Sequence, residues 1–218
     1  MKETAILLGA SGLIGSHLLP LLLNSPAYAE VTVYVRKALP INNSKLKQIV
    51  TDFEDLDVLN DGINASIVFS CLGSTKKKTP DIKKYRRIDY GIPLHFAQQA
   101  KKNGARQFHL VSSLGADAKS GNYYSKIKGE IEDAVNSIGY ETVHIYQPSF
   151  LKGERNENRP LEKLMLPIMS LLDVVLIGPL KKYKSIEATE VASAMYNQSI
   201  TNQRGTLVHQ SDQIKSLA

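Results

Sequence analysis

Thr4-Ala5-Ile6-Leu7-Leu8-Gly9-Ala10-Ser11-Gly12-Leu13-Ile14-Gly15, or TAILLGASGLIG, decides the fold. Thr4 to Leu8 is an apolar run that suits a strand buried on both faces. Gly9, Gly12 and Gly15 follow at even spacing. Leu13 to Leu23 then reads as a helix that stops near Asn24, Ser25 and Pro26. A strand, a glycine turn and a helix in this order cradle the pyrophosphate of a dinucleotide. The first glycine permits the tight turn, the second lets backbone approach the pyrophosphate, and the third allows helix and strand to pack closely. The helix N-terminus presents N–H groups and a partial positive charge to the phosphates. Gly9, Ser11, Gly12, Leu13, Ile14 and Gly15 are therefore candidate cofactor-binding residues.

Working outward, Val31–Val35 (VTVYV) reads as a second strand and Lys47–Asp52 as a third. Ala65–Leu72 (ASIVFSCL) reads as a fourth, Gln107–Val111 (QFHLV) as a fifth and Thr142–Tyr146 (TVHIY) as a sixth. Helices are expected over 88–103, closed by Gly104, and over 124–138, closed by Gly139. Strands alternating with helices predict an α/β fold with a doubly wound parallel sheet. Ligands of such sheets sit beyond the carboxyl ends of the strands.

Those ends carry the remaining candidates. An NAD-binding chain places an acid at the end of the second strand, about 20 residues past the glycines. Here Arg36 and Lys37 stand there, and a cation at that point pairs with a 2′-phosphate, which favours NADP. Asp52 and Phe53 end the third strand as an acid–aromatic pair suited to adenine. Cys71, Leu72 and Gly73 end the fourth, where small residues let the chain run beside a cofactor. Past Ser112 and Ser113, Tyr124 and Lys128 are four apart, on one face of a helix. A lysine there stabilises a phenolate by its charge and can hydrogen-bond the nicotinamide ribose, so the tyrosine can serve as general acid to a carbonyl oxygen.

With these residues in view the chain resembles the short-chain dehydrogenase/reductase superfamily, in its atypical NAD(P)-binding branch. It looks most like the Tat-interacting oxidoreductase-like proteins and their bacterial relatives. The resemblance rests on GASGLIG at 9–15, CLGST at 71–75, VSSLGA at 111–116, YSKIK at 124–128, QPSFLKGER at 147–155 and YKSIEATEVASAM at 183–195. It implies a Rossmann fold, NADP(H) and a Ser–Tyr–Lys site. Tyr124 would be the acid/base, Lys128 its partner, Ser113 the serine facing substrate with Ser112 as fallback, and Pro148 part of the cofactor set. Gln147 departs from the family, which often has arginine before that proline. The expected substrate lobe, residues 151–185, is short.

The whole chain bounds these readings. Its 218 residues fit one domain, 1–218, able to bury roughly 70% of its unfolded surface. A single cysteine, Cys71, allows no intrachain disulfide and suits a reducing cytoplasm. The N-terminus does not read as a signal peptide, because glycines break its apolar stretch. The apolar run 164–180, interrupted by Pro167 and Asp173, is short for a span of ~20 residues. It predicts a buried or ligand-facing segment, a lid or a dimer contact, rather than a stable membrane insertion, and its place after the sixth strand fits the lid. The net charge is +6, much of it in Lys76, Lys77, Lys78, Lys83, Lys84, Arg86 and Arg87. Tyr85 is the one aromatic within that cluster, which reads as a solvated loop and helix start and not as a nucleic-acid surface. The five histidines show no metal spacing, and His109 and His144 alternate within strands as packing residues. The expected protein is a monomer or homodimer acting on a small molecule. Its expected activity is NADPH-dependent reduction of a small carbonyl compound. The alternative is an NADPH-binding regulatory or interaction protein with little turnover, motivated by the short lobe and Gln147. A cofactor-recycling isomerase or epimerase ranks last.

Overall fold

The computed structural model describes residues 2–153, 176 and 178–218. The TAILL run lies in strand β1 (Glu3–Leu8), whose last four residues are buried. After the glycine turn come helix α1 (Gly15–Asn24), β2 (Tyr28–Val35), β3 (Leu46–Val50) and β4 (Ile67–Ser70). Then follow α2 (Ile82–Arg86), α3 (Ile92–Lys102), β5 (Gln107–Val111), α4 (Tyr123–Asn136) and β6 (Thr142–Gln147). The chain ends with β7 (Leu151–Lys152), β8 (Ile186–Glu187), α5 (Ala188–Ser199), β9 (Gly205–Gln210) and α6 (Ser211–Leu217).

Seven strands form one sheet in the order β3-β2-β1-β4-β5-β6-β9, and every neighbouring pair is parallel. The direction of winding reverses between β1 and β4, the switch point at which doubly wound sheets bind ligands. Two apolar layers cover the sheet. One packs Leu18, Leu19 and Leu22 of α1 with Val191 and Met195 of α5 and Ile214 of α6. The other packs Phe96 and Ala97 of α3 with Ile131 and Val135 of α4. Strands β4 and β5 are buried throughout. The edge strands β3 and β9 are half exposed.

Three differences from the sequence expectations matter. The third strand stops at Val50, so Asp52 and Phe53 lie in the loop beyond it. The helix expected over 88–103 is broken: a π-turn at Arg87–Gly91, with the N–H of Ile92 bonded to the carbonyl of Arg87, separates α2 from α3. The C-terminal elements α5, β9 and α6 add a seventh strand and complete one face. The expected substrate lobe, residues 151–185, falls largely outside the described residues, and the 164–180 lid segment does so almost entirely.

Candidate functional site

The glycine turn is tied to the end of β4 by steric necessity. A Cβ on Gly9, whose φ is +80°, would lie 2.7 Å from the Cys71 carbonyl oxygen. A Cβ on Gly15 would lie 2.1 Å from the Gly9 carbonyl oxygen. Both glycines are thus demanded by the fold alone. Gly12 is different: its added Cβ meets only the Gly9 oxygen, at 3.1 Å, and the residue is half-buried at the mouth of the turn. Ser11 is exposed, and Ile14 is buried beneath the turn. Leu13 faces Gly153, whose added Cβ would lie 2.9 Å from the leucine Cδ1.

No side chain caps α1, and no acid lies in its first turn. By contrast Asp81 caps α2 and Asn122 caps α4, while α5 and α6 each carry a capping box. The N–H groups of Ser16, His17 and Leu18 already bond the Gly12 and Ile14 carbonyls. Those of Leu13, Ile14 and Gly15, with no hydrogen bond among the described residues, are the ones left for an anion such as a pyrophosphate. The glycine cradle and the uncapped helix start therefore fit a dinucleotide.

Arg36 and Lys37 follow the last residue of β2; both are exposed, with no hydrogen bond or ion pair among the described residues. Asp52 is exposed, and its Oδ1 accepts the N–H of Glu54 at 2.8 Å. Phe53 has a φ of 62°, the single positive value outside glycine among the described residues, a conformation uncommon for so bulky a side chain. Its ring packs in the core 6.5 Å from that of Phe96, and Arg87 donates hydrogen bonds to the Phe53 and Glu54 carbonyls. The phenyl ring thus serves the core, and the exposed groups of the pair are the Asp52 carboxylate and the backbone. Cys71 packs against the apolar layer of α1. Burial pushes its thiol up to about 12, so it is no nucleophile at neutral pH.

At the centre of the rim lies a buried ion pair. Lys128 is only 4% exposed and Asp89 1%, and the lysine Nζ stands 3.0 Å from Asp89 Oδ1. The other carboxylate oxygen accepts the N–H of Ser74 at 2.8 Å. The pair therefore joins α4, the π-turn and the CLGST strap after β4. A Cβ on Gly73 would lie 3.7 Å from both Asp89 Oδ1 and Lys128 Nζ, so the strap passes directly over the lysine. Asp89 had no visible role in the sequence, because a continuous helix gives it none; the π-turn accommodates its inward carboxylate. Such bulges are frequent at functional sites.

Tyr124 lies one turn before Lys128 on the same face of α4, but it is 42% exposed. Beside it the Tyr123 hydroxyl donates to the Ile82 carbonyl at 3.2 Å, and Tyr85 packs its ring 6.0 Å from that of Tyr123. Of the two serines after β5, Ser112 is buried and its hydroxyl donates to Glu132 Oε1. Ser113 is half-buried, and its hydroxyl makes one long contact, 3.4 Å to the Leu114 carbonyl. Ser113 is thus the serine with a hydroxyl left to offer a ligand. Pro148 is buried, and its carbonyl accepts the N–H of Leu114 at 3.0 Å.

Two further residues shape this rim. Gly129 lets the 114–121 loop cross α4: an added Cβ would lie 2.1 Å from the Ala118 nitrogen. A glycine inside a helix costs about 1 kcal/mol against alanine, which is the signal that could have flagged it. Glu132 accepts hydrogen bonds from Gln147 Nε2 at 3.1 and 3.0 Å, so the residue that departs from the family pattern is held by an acid. Away from the rim, His109, His144 and His209 stack across β5, β6 and β9 with Tyr146. His109 bonds Gln107 and Tyr146, and His144 Nδ1 meets His209 Nε2 at 2.9 Å. His109 thus packs as a satisfied residue; His144 keeps one buried nitrogen without a partner.

Comparison with known proteins agrees with this geometry. The sequence profile of the NAD(P)H-binding family matches residues 9–152. The chain is 30% identical over 215 residues to the mitochondrial protein fmp52 of Aspergillus clavatus, covering 95% of this chain and 92% of that protein. It is 33% identical over 163 residues to the mitochondrial protein FMP52 of Candida albicans, 72% of this chain and 71% of the relative. It is 34% identical over 167 residues to the protein HTATIP2 of Rattus norvegicus, 75% of this chain and 69% of the relative. Among solved structures, MoeE5 in complex with UDP-glucuronic acid and NAD superposes with a TM-score of 0.72 at 18% identity, covering 95% of this chain and 76% of that one. The Bordetella bronchiseptica enzyme WbmH in complex with NAD+ gives 0.72 at 18% identity, covering 99% and 79%. With its glycine cradle, its parallel seven-stranded sheet and a match spanning most of its length, the chain belongs to the NAD(P)H-binding family and shares its fold with the Rossmann-type short-chain dehydrogenase/reductase proteins.

Proposed function

We propose that the protein is an NADPH-dependent reductase of a small carbonyl compound. The observation that carries this reading is the buried Lys128–Asp89 pair beneath the Gly73 strap, on the same helix face as Tyr124. The paired ammonium is held in one place beneath the strap and would be the group that holds the ribose of a bound cofactor. When bound, NADPH supplies a hydride. The Tyr124 hydroxyl donates its proton to the carbonyl oxygen, and the Ser113 hydroxyl donates a hydrogen bond to the same oxygen. Lys128 would donate to the ribose, and its charge, oriented by Asp89, would favour the phenolate that remains. Arg36 and Lys37 select NADPH by pairing with the 2′-phosphate; Asp52 and the neighbouring backbone meet the adenine. A single cysteine suits a reducing compartment such as the cytoplasm.

NADPH oxidation over a panel of aldehydes, ketones and quinones tests the reading. Tyr124→Phe is expected to lower kcat on any confirmed substrate by about 100-fold or more. A variant with full turnover removes Tyr124 from the mechanism.

A further inference from the structure

Ser113 and Pro148 each lie one residue beyond a side chain that Glu132 holds. Ser112, before Ser113, donates its hydroxyl to Glu132 Oε1. Gln147, before Pro148, donates its amide to both Glu132 oxygens at 3.1 and 3.0 Å. The backbone repeats the link: Ser112 N–H donates to the Tyr146 carbonyl at 2.7 Å, and Leu114 N–H to the Pro148 carbonyl at 3.0 Å. Glu132 is also one turn beyond Lys128 and two beyond Tyr124 on α4, so one helix face carries phenol, ammonium and carboxylate in series.

We infer that Glu132 is a positioning residue: as a carboxylate it clamps the ends of β5 and β6 and so sets Ser113, and its protonation loosens the clamp. This rests on the reductase reading for its kinetic consequence, but the clamp itself is a property of the protein alone. A carboxylate offers acceptors to both donors, whereas a carboxylic acid turns one oxygen into a donor. The groups facing it from β5 and β6 are a neutral hydroxyl and a neutral amide. The charges acting on it are both on α4: Lys128 favours the carboxylate and Asp133 opposes it. Burial outweighs these and moves the Glu132 carboxyl above the usual glutamate range. The clamp is therefore expected to release in mildly acidic solution, where an exposed glutamate would still be ionised.

The test begins on the protein without cofactor. Carboxyl and amide NMR signals are followed from pH 8 to pH 4 in wild type, Glu132→Gln, Gln147→Arg and Ser112→Ala. The expected result is that the Ser113 and Leu114 amides move with the Glu132 carboxyl at one shared midpoint. Glu132→Gln should abolish that movement. Gln147→Arg should lower the midpoint by about one unit or more, because it places a cation beside the acid. Ser112→Ala, the mildest change, guards against misfolding; it should shrink the Ser113 response and move the carboxyl midpoint upward, because it removes a hydrogen bond that favours the carboxylate. On a confirmed substrate, the acid limb of kcat should move with Gln147→Arg by the same amount, with the KM for NADPH unchanged. Glu132→Gln should lower kcat between about ten- and a hundredfold. If Ser113 does not follow Glu132, or the limb stays fixed in Gln147→Arg, the clamp is refuted even where carbonyl reduction is confirmed. If coupling is seen but no carbonyl is reduced, the reductase reading fails and the clamp stands.

Discussion

The two halves of the sheet build their share of the rim from different materials. On the β3-β2-β1-β4 side the site is mostly backbone: three glycines, an uncapped helix start and a strap that passes where a side chain would collide. On the β5-β6-β9 side it is side chains that depend on one another: Lys128 on Asp89, Ser112 and Gln147 on Glu132, with the stacked histidines beneath them in the sheet. Backbone sites are written locally and tolerate little substitution. Side-chain sites are assembled from distant segments, and their members can be removed singly, with costs that reveal the coupling.

That contrast can be broken first at the ion pair. Asp89→Ala strands a buried ammonium, and equilibrium unfolding should show a loss of about 3–5 kcal/mol. The apolar pair Asp89→Leu with Lys128→Met should recover most of that stability while abolishing turnover, since the pair's contribution is to function and not to net stability. If the double variant is no more stable than the single, the two residues are not energetically linked.

Gly15→Ala and Gly129→Ala sharpen the same contrast. Each places a Cβ 2.1 Å from backbone, and each should cost about 3 kcal/mol. In thermal unfolding that is a fall of roughly 6–12 °C in Tm. Measured per folded molecule, Gly129→Ala should still bind NADPH and Gly15→Ala should not. Equal loss of binding in both would mean that the halves are not separable.

A smaller effect is expected of the exposed cations. Replacing both Arg36 and Lys37 by alanine should weaken NADPH at least about tenfold and leave NADH unchanged, as read by fluorescence titration. An equal loss for both cofactors would refute selection at the 2′-phosphate.

The smallest effect belongs to the histidine stack. Burial depresses all three imidazoles, His144 to about 4. Unfolded, each titrates near 6.5. Below about pH 6.5 the unfolded chain binds protons that the folded chain refuses, so stability falls as pH drops from there toward 4. His209→Gln removes one such group and should reduce the loss of stability between about pH 7 and 5.5. An unchanged pH slope would show that His209 is not titrating as a buried group.

What was legible follows the same division. TAILL, VTVYV, QFHLV and TVHIY lie in the strands they predict, and ASIVFSCL holds the shorter β4 at its centre, because buried parallel strands are continuous apolar runs. GTLVHQ in β9 escaped notice because an edge strand is half exposed and carries no such run. Glu132 reads as an ordinary polar position of a helix until β5 and β6 are brought beside it. Asp89 is hidden for a different reason: a periodic pattern over 88–103 assumes 3.6 residues per turn, and the π-turn violates that assumption where the acid must face inward. His209 lies 65 residues from the His144 it meets, a separation no local pattern can bridge.

The π-turn also constrains the gene in a way that substitutions do not reveal. It holds one residue more than the α-turn it replaces, and each helical residue turns the chain by about 100°. Deleting any one residue from Arg87 to Gly91 would swing α2 about a quarter turn around α3. Tyr85 would leave the Ser74 carbonyl that its hydroxyl meets at 3.4 Å, and the loop capped by Asp81 would turn with it. Homologous chains are thus expected to differ in what this segment contains far more readily than in how long it is.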